Sequence, residues 1–130
     1  MTLLLDTSVL IDIECNTKKS VDKLMELSQS DPSPAAISFI TYFEFIHGMR
    51  LKSTKNKERS LAFIEKFYFL RPTKTTASIL SDLKYKYDKL GKPIPLADLI
   101  IASQSIENNM TLVTSDRNFN EITELKKVIL

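Results

Sequence analysis

The chain has 130 residues, which suits one folded domain, and 43% of them are hydrophobic, enough for a core without stapling bonds. The net charge of +2 gives no argument for a nucleic-acid partner from bulk charge, although a local basic rim is enough to bind one. Cys15 is the only cysteine, which excludes an intramolecular disulfide and a cysteine-pair zinc site and fits a reducing compartment.

Targeting and membrane signals are not expected in this sequence. No stretch approaches the ~20 apolar residues that a membrane span requires. The apolar run MTLLL has no basic segment before it and is interrupted by Asp6, which argues against a secretory signal peptide. We therefore expect a cytoplasmic protein without a membrane partner.

Apolar strands and helical stripes alternate in the first part of the chain. Residues 2–5 predict a short, fully buried strand, and apolar residues over 9–13 continue at helical spacing. A second helical stripe covers 21–28. The segment SDPSP at 30–34 predicts a loop because proline breaks helices. A second strand is predicted at 35–39.

The middle of the chain repeats this alternation. Residues 41–50 predict a helix, and the polar, basic residues 52–57 predict an interruption before helical spacing resumes at Leu61. Residues 67–70 then predict a strand that ends at Pro72.

Two further helices and two strands complete the chain. Apolar residues over 79–90 predict a helix that Gly91 ends, as a C-terminal glycine does. Pro95 suits the first position of the next helix, over 95–106, because its missing N–H has no helical partner there. The remaining strands are predicted at 110–114 and 128–130.

This regular alternation predicts the fold class. Strands that alternate with helices favour a parallel sheet with helices on both faces. We expect one domain over residues 1–130, with three α/β/α layers and a mostly parallel central sheet of about five strands. In such sheets, ligands bind in the crevice beyond the carboxyl ends of the strands.

Four acidic residues fall where this fold brings element ends together. Asp6 and Asp116 follow predicted strands, while Glu44 and Asp98 lie in the first turns of predicted helices. Strand ends and the helix starts that follow them open on the same side of the sheet. No histidine or cysteine cluster accompanies the acids, so the donor set suits Mg²⁺ or Mn²⁺, and such sites usually perform phosphate chemistry.

Each acid also has a purely structural explanation. Asp6 can cap the helix after it, and Thr41 with Glu44 matches a capping box. Asp98 can interact with the positive end of a helix dipole, and Asp116 can close an Asx turn. These explanations leave open why all four acids face one crevice, where they repel and one is expected to protonate without a cation. We therefore favour a joint metal site.

Sequence blocks around the four acids resemble those of the PIN-domain family. The blocks LLLDTSVLIDI, SFITYFEFIHG and GKPIPLADLIIASQSIENNMTLVTSDRNF are similar to it in order and spacing over nearly the whole chain. The size of the chain resembles that of the VapC toxins of prokaryotic type II toxin–antitoxin pairs.

This resemblance implies an activity and partners. It implies a Mg²⁺- or Mn²⁺-dependent endoribonuclease that hydrolyses RNA phosphodiesters, the toxin of a VapBC-type pair with a VapB-like antitoxin and a homodimeric assembly. Asp6 and Asp98 are implied as direct ligands, with Glu44 acting through a water or helping to activate it. Asp116 completes the catalytic set.

Residues beside the acids are further candidates. Thr7 and Thr114 resemble hydroxyl positions that orient the acids, and Asn118 stands where many relatives carry a further acid. The only histidine, His47, is more typical of a packed or surface role than of a general base. Aromatic residues over 39–45 suit core packing, or in part a groove for a partner. The RNA-binding candidates are Arg50, Lys52, Lys92 and Arg117, against the commoner reading of solvated surface charges.

Other classes of function remain alternatives. The chain could be a non-toxin PIN nuclease in RNA processing, or a degenerate PIN module that binds RNA or protein without cleavage. A phosphatase of the haloacid dehalogenase type also starts with a strand ending in aspartate, but it needs a second aspartate where this chain has Ser8. A receiver-type signalling domain needs an early pair of acids that is missing here.

Overall fold

The sheet is parallel throughout, and β1 lies at its centre. The computed structural model describes residues 2–30 and 33–130, and within them five strands follow the order β3-β2-β1-β4-β5. The strands are β1 (Leu3–Leu5), β2 (Ala36–Ser38), β3 (Tyr68–Leu70), β4 (Thr111–Thr114) and β5 (Lys127–Ile129). Every neighbouring pair is parallel.

Helices connect these strands. They are α1 (Thr7–Glu14), α2 (Lys18–Ser30), α3 (Phe39–Gly48), α4 (Thr54–Ile64), α5 (Lys74–Lys89) and α6 (Leu96–Glu107). Short 3₁₀ helices lie at Met49–Leu51 and Arg117–Glu121. The predicted α/β/α fold with about five parallel strands is confirmed. None of the helices in the described ranges is long and apolar enough to cross a membrane.

The core lies on both faces of the sheet. Successive residues of β1 point to opposite faces, as in any strand. Leu4 joins a buried cluster that includes Leu83 of α5 and Leu99 of α6. Leu5 joins a second cluster with Leu10 of α1 and Phe45 of α3. The central strand is apolar at every position because both of its faces are covered.

The start of α3 differs from the prediction. Ser38 ends β2 and caps α3, since its Oγ accepts a hydrogen bond from Ile40 N at 3.0 Å. Phe39 is therefore helical and does not belong to the strand. The predicted capping box of Thr41 and Glu44 is wrong, because Thr41 is buried inside the helix and Ser38 occupies the cap position.

Other boundaries agree more closely with the predictions. Gly91 follows α5 with φ of +70°, a left-handed conformation that glycine adopts without strain, as its predicted terminating role requires. Pro95 occupies the cap position of α6, one residue before its predicted place. The polar interruption predicted at 52–57 is shorter, because Ser53 caps α4 and the helix begins at Thr54. The loop predicted at 30–34 contains Asp31 and Pro32, which lie outside the described residues.

Candidate active site

Asp6 and Asp116 lie together at the carboxyl edge of the sheet. Asp6 directly follows β1, and Asp116 follows β4, the strand paired with β1. Each carboxylate also caps the helix after it, since Asp6 Oδ1 accepts from Thr7 N at 2.8 Å and Asp116 Oδ1 accepts from Asn118 N at 2.9 Å. Both acids therefore cap a helix and also lie at the same edge of the sheet, so the capping role does not exclude a shared site.

Asp6 is buried and held by three donors. Its Oδ2 accepts from Thr114 Oγ1 at 2.7 Å and from Ser8 Oγ at 3.2 Å, in addition to the Thr7 contact. A buried carboxylate needs such partners because burial removes its water. Thr114 is fully buried and also accepts from Asp116 N at 3.0 Å, so one hydroxyl links both acids.

Glu44 lies in the second turn of α3 and not in the first turn as predicted, because the helix begins at Phe39. Its side chain turns toward α1. Thr7 Oγ1 donates to Glu44 Oε1 at 2.6 Å and also lies 3.3 Å from Thr41 Oγ1. The hydroxyl has one proton, and the shorter contact to the carboxylate is the stronger one. Because Thr7 follows Asp6 directly, this contact connects the Glu44 side chain to the end of β1.

Asp98 lies in the first turn of α6 and is partly buried. Burial, together with the negative charges of Asp116, Asp6 and Glu44, raises the pKa of Asp98 from 3.8 to about 6. The four predicted acids therefore share one electrostatic environment.

The negative charge of this cluster is not neutralised by nearby lysine or arginine. In residues 2–30 and 33–130, none of the four acids forms an ion pair. Across those same residues, no three Asp, Glu, His or Cys side chains form a ready-made metal site as they stand. The oxygen-only donors and the unbalanced charge fit a hard divalent cation in kind.

The basic candidates differ in their surroundings. Lys52 Nζ lies 2.9 Å from both Glu14 Oε1 and Ser60 Oγ, so it joins α1 to α4. Lys92 Nζ lies 3.5 Å from Glu121 Oε2.

A cavity is lined by residues that lie near Asp98 and Asp116 in the sequence. It has a volume of about 340 Å³, and Lys92, Pro95 and Asn118 contribute to its lining. Arg117 is exposed and follows Asp116 directly. Lys92 and Arg117 are thus the basic candidates closest in sequence to Asp98 and Asp116.

The aromatic residues separate into core and surface. Phe45 is buried, whereas Phe43 is 57% exposed and stacks on His47 with ring centroids 5.7 Å apart. Tyr42 contacts Phe69 edge to face at 5.2 Å. A groove of about 380 Å³ lies on this surface, and its lining residues are Phe39, Tyr42, Phe43, Ile46, His47, Arg50 and Phe69. His47 is therefore engaged with an aromatic ring in this groove.

One contact near the acids was not anticipated from the sequence. Ser115 Oγ donates to Ser8 Oγ at 2.9 Å, and Ser8 in turn donates to Asp6. Both serines directly flank residues of the candidate site in the sequence. A hydroxyl next to a predicted carboxylate position is the signal that could have identified them.

Comparison with known proteins places the fold. A sequence profile described as the PIN domain matches residues 3–125. A search among curated proteins finds no match. VapBC2 from Rickettsia felis, solved with a DNA fragment from its promoter, is 25% identical with a TM-score of 0.86, covering 100% of this chain and 99% of the matched chain.

Two more solved structures agree. VapBC-1 from nontypeable Haemophilus influenzae is 28% identical with a TM-score of 0.86, covering 99% of this chain and 98% of that one. DNA-bound VapBC from Salmonella typhimurium is 24% identical, and the match covers 99% of this chain and 98% of that one. Its TM-score of 0.79 shows a similar fold. The resemblance seen in the sequence blocks is confirmed, because the profile spans nearly the whole chain: the protein belongs to the PIN-domain family.

Proposed function

We propose that the protein is a VapC-like nuclease, a Mg²⁺- or Mn²⁺-dependent endoribonuclease that hydrolyses RNA phosphodiesters. The observation that carries the proposal is the carboxylate cluster, in which burial and three neighbouring acids raise the pKa of Asp98 to about 6. Membership of the PIN-domain family and the likeness to chains of VapBC complexes support it.

The proposed chemistry assigns separate tasks to the acids. A divalent cation held by them supplies a more acidic water and neutralises charge that develops on the phosphate. Asp6, fixed by its three donors, is a ligand whose orientation is set before binding. Asp98 would gain from a cation because burial and three like charges destabilise its ionised form. Glu44, placed by Thr7, is the candidate to orient the attacking water or take its proton.

The products follow from the nucleophile. Attack by water leaves 5′-phosphate and 3′-hydroxyl ends and does not use the 2′-hydroxyl of RNA. A preference for RNA must then come from substrate shape and contacts. Arg117 and Lys92 are proposed to bind phosphates beside the acids, where a positive charge offsets the repulsion between RNA and carboxylates.

A VapB-like antitoxin and a second copy of the chain are the proposed protein partners. The names of the similar solved complexes support the antitoxin. The exposed aromatic groove around Phe43 supports a protein contact on α3, because contiguous exposed apolar surface often marks an interaction site.

The central test is cleavage of RNA by purified protein with Mg²⁺ or Mn²⁺. We expect the cleavage rates of D6N and D98N to fall at least about 100-fold. Loss of a metal ligand should reduce activity at least as much as loss of a residue that hydrogen-bonds to a ligand. Asp82→Asn, an exposed carboxylate on α5, is the matched control and should cleave like wild type. Cleavage by D98N at the wild-type rate would refute the site.

A binding module without catalysis is the second candidate. It is favoured by the finding that, in the part of the chain described, no three acids already form a metal site. If wild type binds RNA or an antitoxin but leaves RNA intact with every divalent ion, this second function replaces the first. If the protein cleaves RNA with a metal ion but this cleavage does not arrest growth, the result would instead indicate a PIN nuclease in RNA processing.

A further inference from the structure

Gln104 makes two tertiary hydrogen bonds from a fully buried side chain. It lies on α6 and is 0% exposed. Its Oε1 accepts from Phe39 N at 3.2 Å, and its Nε2 donates to Leu70 O at 3.0 Å. Both ends of one amide thus contact the main chain of other elements, the start of α3 and the end of β3.

The contact with Phe39 completes the N-terminus of α3. The first N–H groups of a helix have no partner within the helix. Ser38 supplies an acceptor to Ile40 N, and Gln104 supplies one to Phe39 N. A residue 65 positions away in the chain therefore takes part in capping α3.

These contacts join the two helices that carry candidate site residues. Gln104 lies six residues after Asp98, about 9 Å along α6, and Phe39 lies five residues before Glu44, about 7.5 Å along α3. Thr7 holds the Glu44 side chain, whereas Gln104 holds the helix on which Glu44 sits. The Thr7 contact alone would leave the position of α3 unrestrained, and the Gln104 contact alone would leave the Glu44 side chain free to rotate.

We propose that Gln104 is a positioning residue that sets α3, and with it Glu44, relative to α6 and Asp98. The proposal rests on the proposed function, because the spacing of these carboxylates affects activity only when they act on one cation and one substrate. Gln104 itself does not touch the reacting atoms.

The test compares Q104M with S103A in the full-length protein. Methionine keeps the length of the side chain and removes both amide contacts. Ser103 is the matched control because it is equally buried on α6 but its Oγ donates to Leu99 O within the same helix. In metal-free protein, NMR should show faster hydrogen exchange at the Phe39 amide, on the order of tenfold, and a shifted Glu44 amide in Q104M only.

A second measurement titrates Mn²⁺ into each folded variant by calorimetry. Q104M should bind Mn²⁺ roughly tenfold more weakly than wild type, the range expected when a residue that orients ligands is lost, while S103A stays unchanged. A lower melting temperature alone would not produce this difference, because the Mn²⁺ affinity is measured at a temperature well below that at which the variants unfold.

Two outcomes separate the inferences. Wild-type protein that binds no Mn²⁺ contradicts the proposed function, while the metal-free Glu44 and Phe39 signals still decide the role of Gln104. An unshifted Glu44 amide in Q104M overturns the positioning role. If Q104M does not fold, Q104E replaces it. Its isosteric carboxyl can still accept from Phe39 N, so the Phe39 amide should stay protected and the Glu44 amide unshifted. A protected Phe39 amide together with a shifted Glu44 amide in Q104E overturns the role.

Discussion

At the scale of single residues, Asp98 is the least compensated group of the candidate site. Its neighbours Asp6 and Glu44 receive hydrogen bonds from hydroxyl groups, and Asp116 caps a 3₁₀ helix. Asp98 experiences burial and three like charges instead. Ionised Asp98 therefore lowers the stability of the fold, and a cation at the proposed site would offset this loss.

The first prediction concerns the pH dependence of stability. The folded-state pKa of Asp98 is about 6, above the unfolded value of 3.8, so its contribution is favourable at low pH and is lost as pH rises through about 6. Near neutral pH without divalent ions, D98N should be more stable than wild type by about 1–2 kcal/mol, after allowing for solvent screening.

Thermal denaturation across pH measures this difference. The advantage of D98N should disappear toward about pH 4, and D82N should show no such trend. Added Mg²⁺ should raise the melting temperature of wild type and leave that of D98N unchanged. An advantage of D98N that is independent of pH would contradict the assignment.

The second prediction concerns Thr114, the hydroxyl between Asp6 and Asp116. T114V keeps the shape of the side chain and removes both contacts, which leaves a buried carboxylate oxygen and an N–H with one partner fewer. We expect a loss of about 1–3 kcal/mol in unfolding free energy and a roughly tenfold slower cleavage. Denaturant titration and a cleavage assay test it, with Thr75→Val on the exposed face of α5 as control.

At the scale of elements, α5 is fastened to the segment before β5 by a polar cluster. Tyr87 Oη donates to Glu124 Oε1 at 2.6 Å and accepts from Thr123 N at 3.1 Å, and Lys86 Nζ lies 2.9 Å from Glu124 Oε2. This cluster lies on the side of the sheet that also holds α6, so it supports the layer that carries Asp98.

The third prediction follows from Glu124. Burial raises the pKa of Glu124, but hydrogen bonds from Lys86 and Tyr87 outweigh it and lower the pKa from 4.5 to about 2. Its stabilisation is present above the unfolded value and is lost as pH falls from about 4.5 to about 2. E124Q should lower the melting temperature near neutral pH and differ less from wild type in acid. If E124Q lowers the melting temperature by the same amount near neutral pH and in acid, the ionised form of Glu124 does not contribute to stability.

Sequence patterns located most elements because apolar periodicity reflects local burial. They missed the true start of α3, since Ser38 and Gln104 both cap it and Gln104 is distant in the chain. They also could not show that the Lys52 ammonium contacts Glu14 and Ser60. Contacts between residues far apart in sequence leave no periodic signal.

At the scale of the whole molecule, the exposed aromatic groove on α3 is the surface that we propose for contact with a second copy of the chain. Phe43, Tyr42 and Phe69 present apolar surface beside Arg50. Such surface is favourably removed from water by a protein partner. The proposed homodimer would use it.

The fourth prediction tests this assembly. F43D should reduce the dimer fraction measured by light scattering after gel filtration, because a charge would be buried in the contact. Leu90, 59% exposed against 57% for Phe43, provides the control variant L90D at matched exposure. Dimers that persist equally in both variants would place the contact elsewhere on the molecule.

The amino-acid sequence alone determined the alternation of strands and helices, the parallel sheet and the places of Asp6, Asp98 and Asp116 at element ends, because each depends on local periodicity and chain order. Glu44, predicted in a first turn, lies one turn further into α3. Only the tertiary structure decided how those acids are held: Asp6 by Thr114, Glu44 by Thr7, and Asp98 by no compensating charge within the described residues. The physical reason is that hydrogen-bond partners and electrostatic neighbours depend on distances in space, and chain folding brings together residues as far apart as 6 and 114.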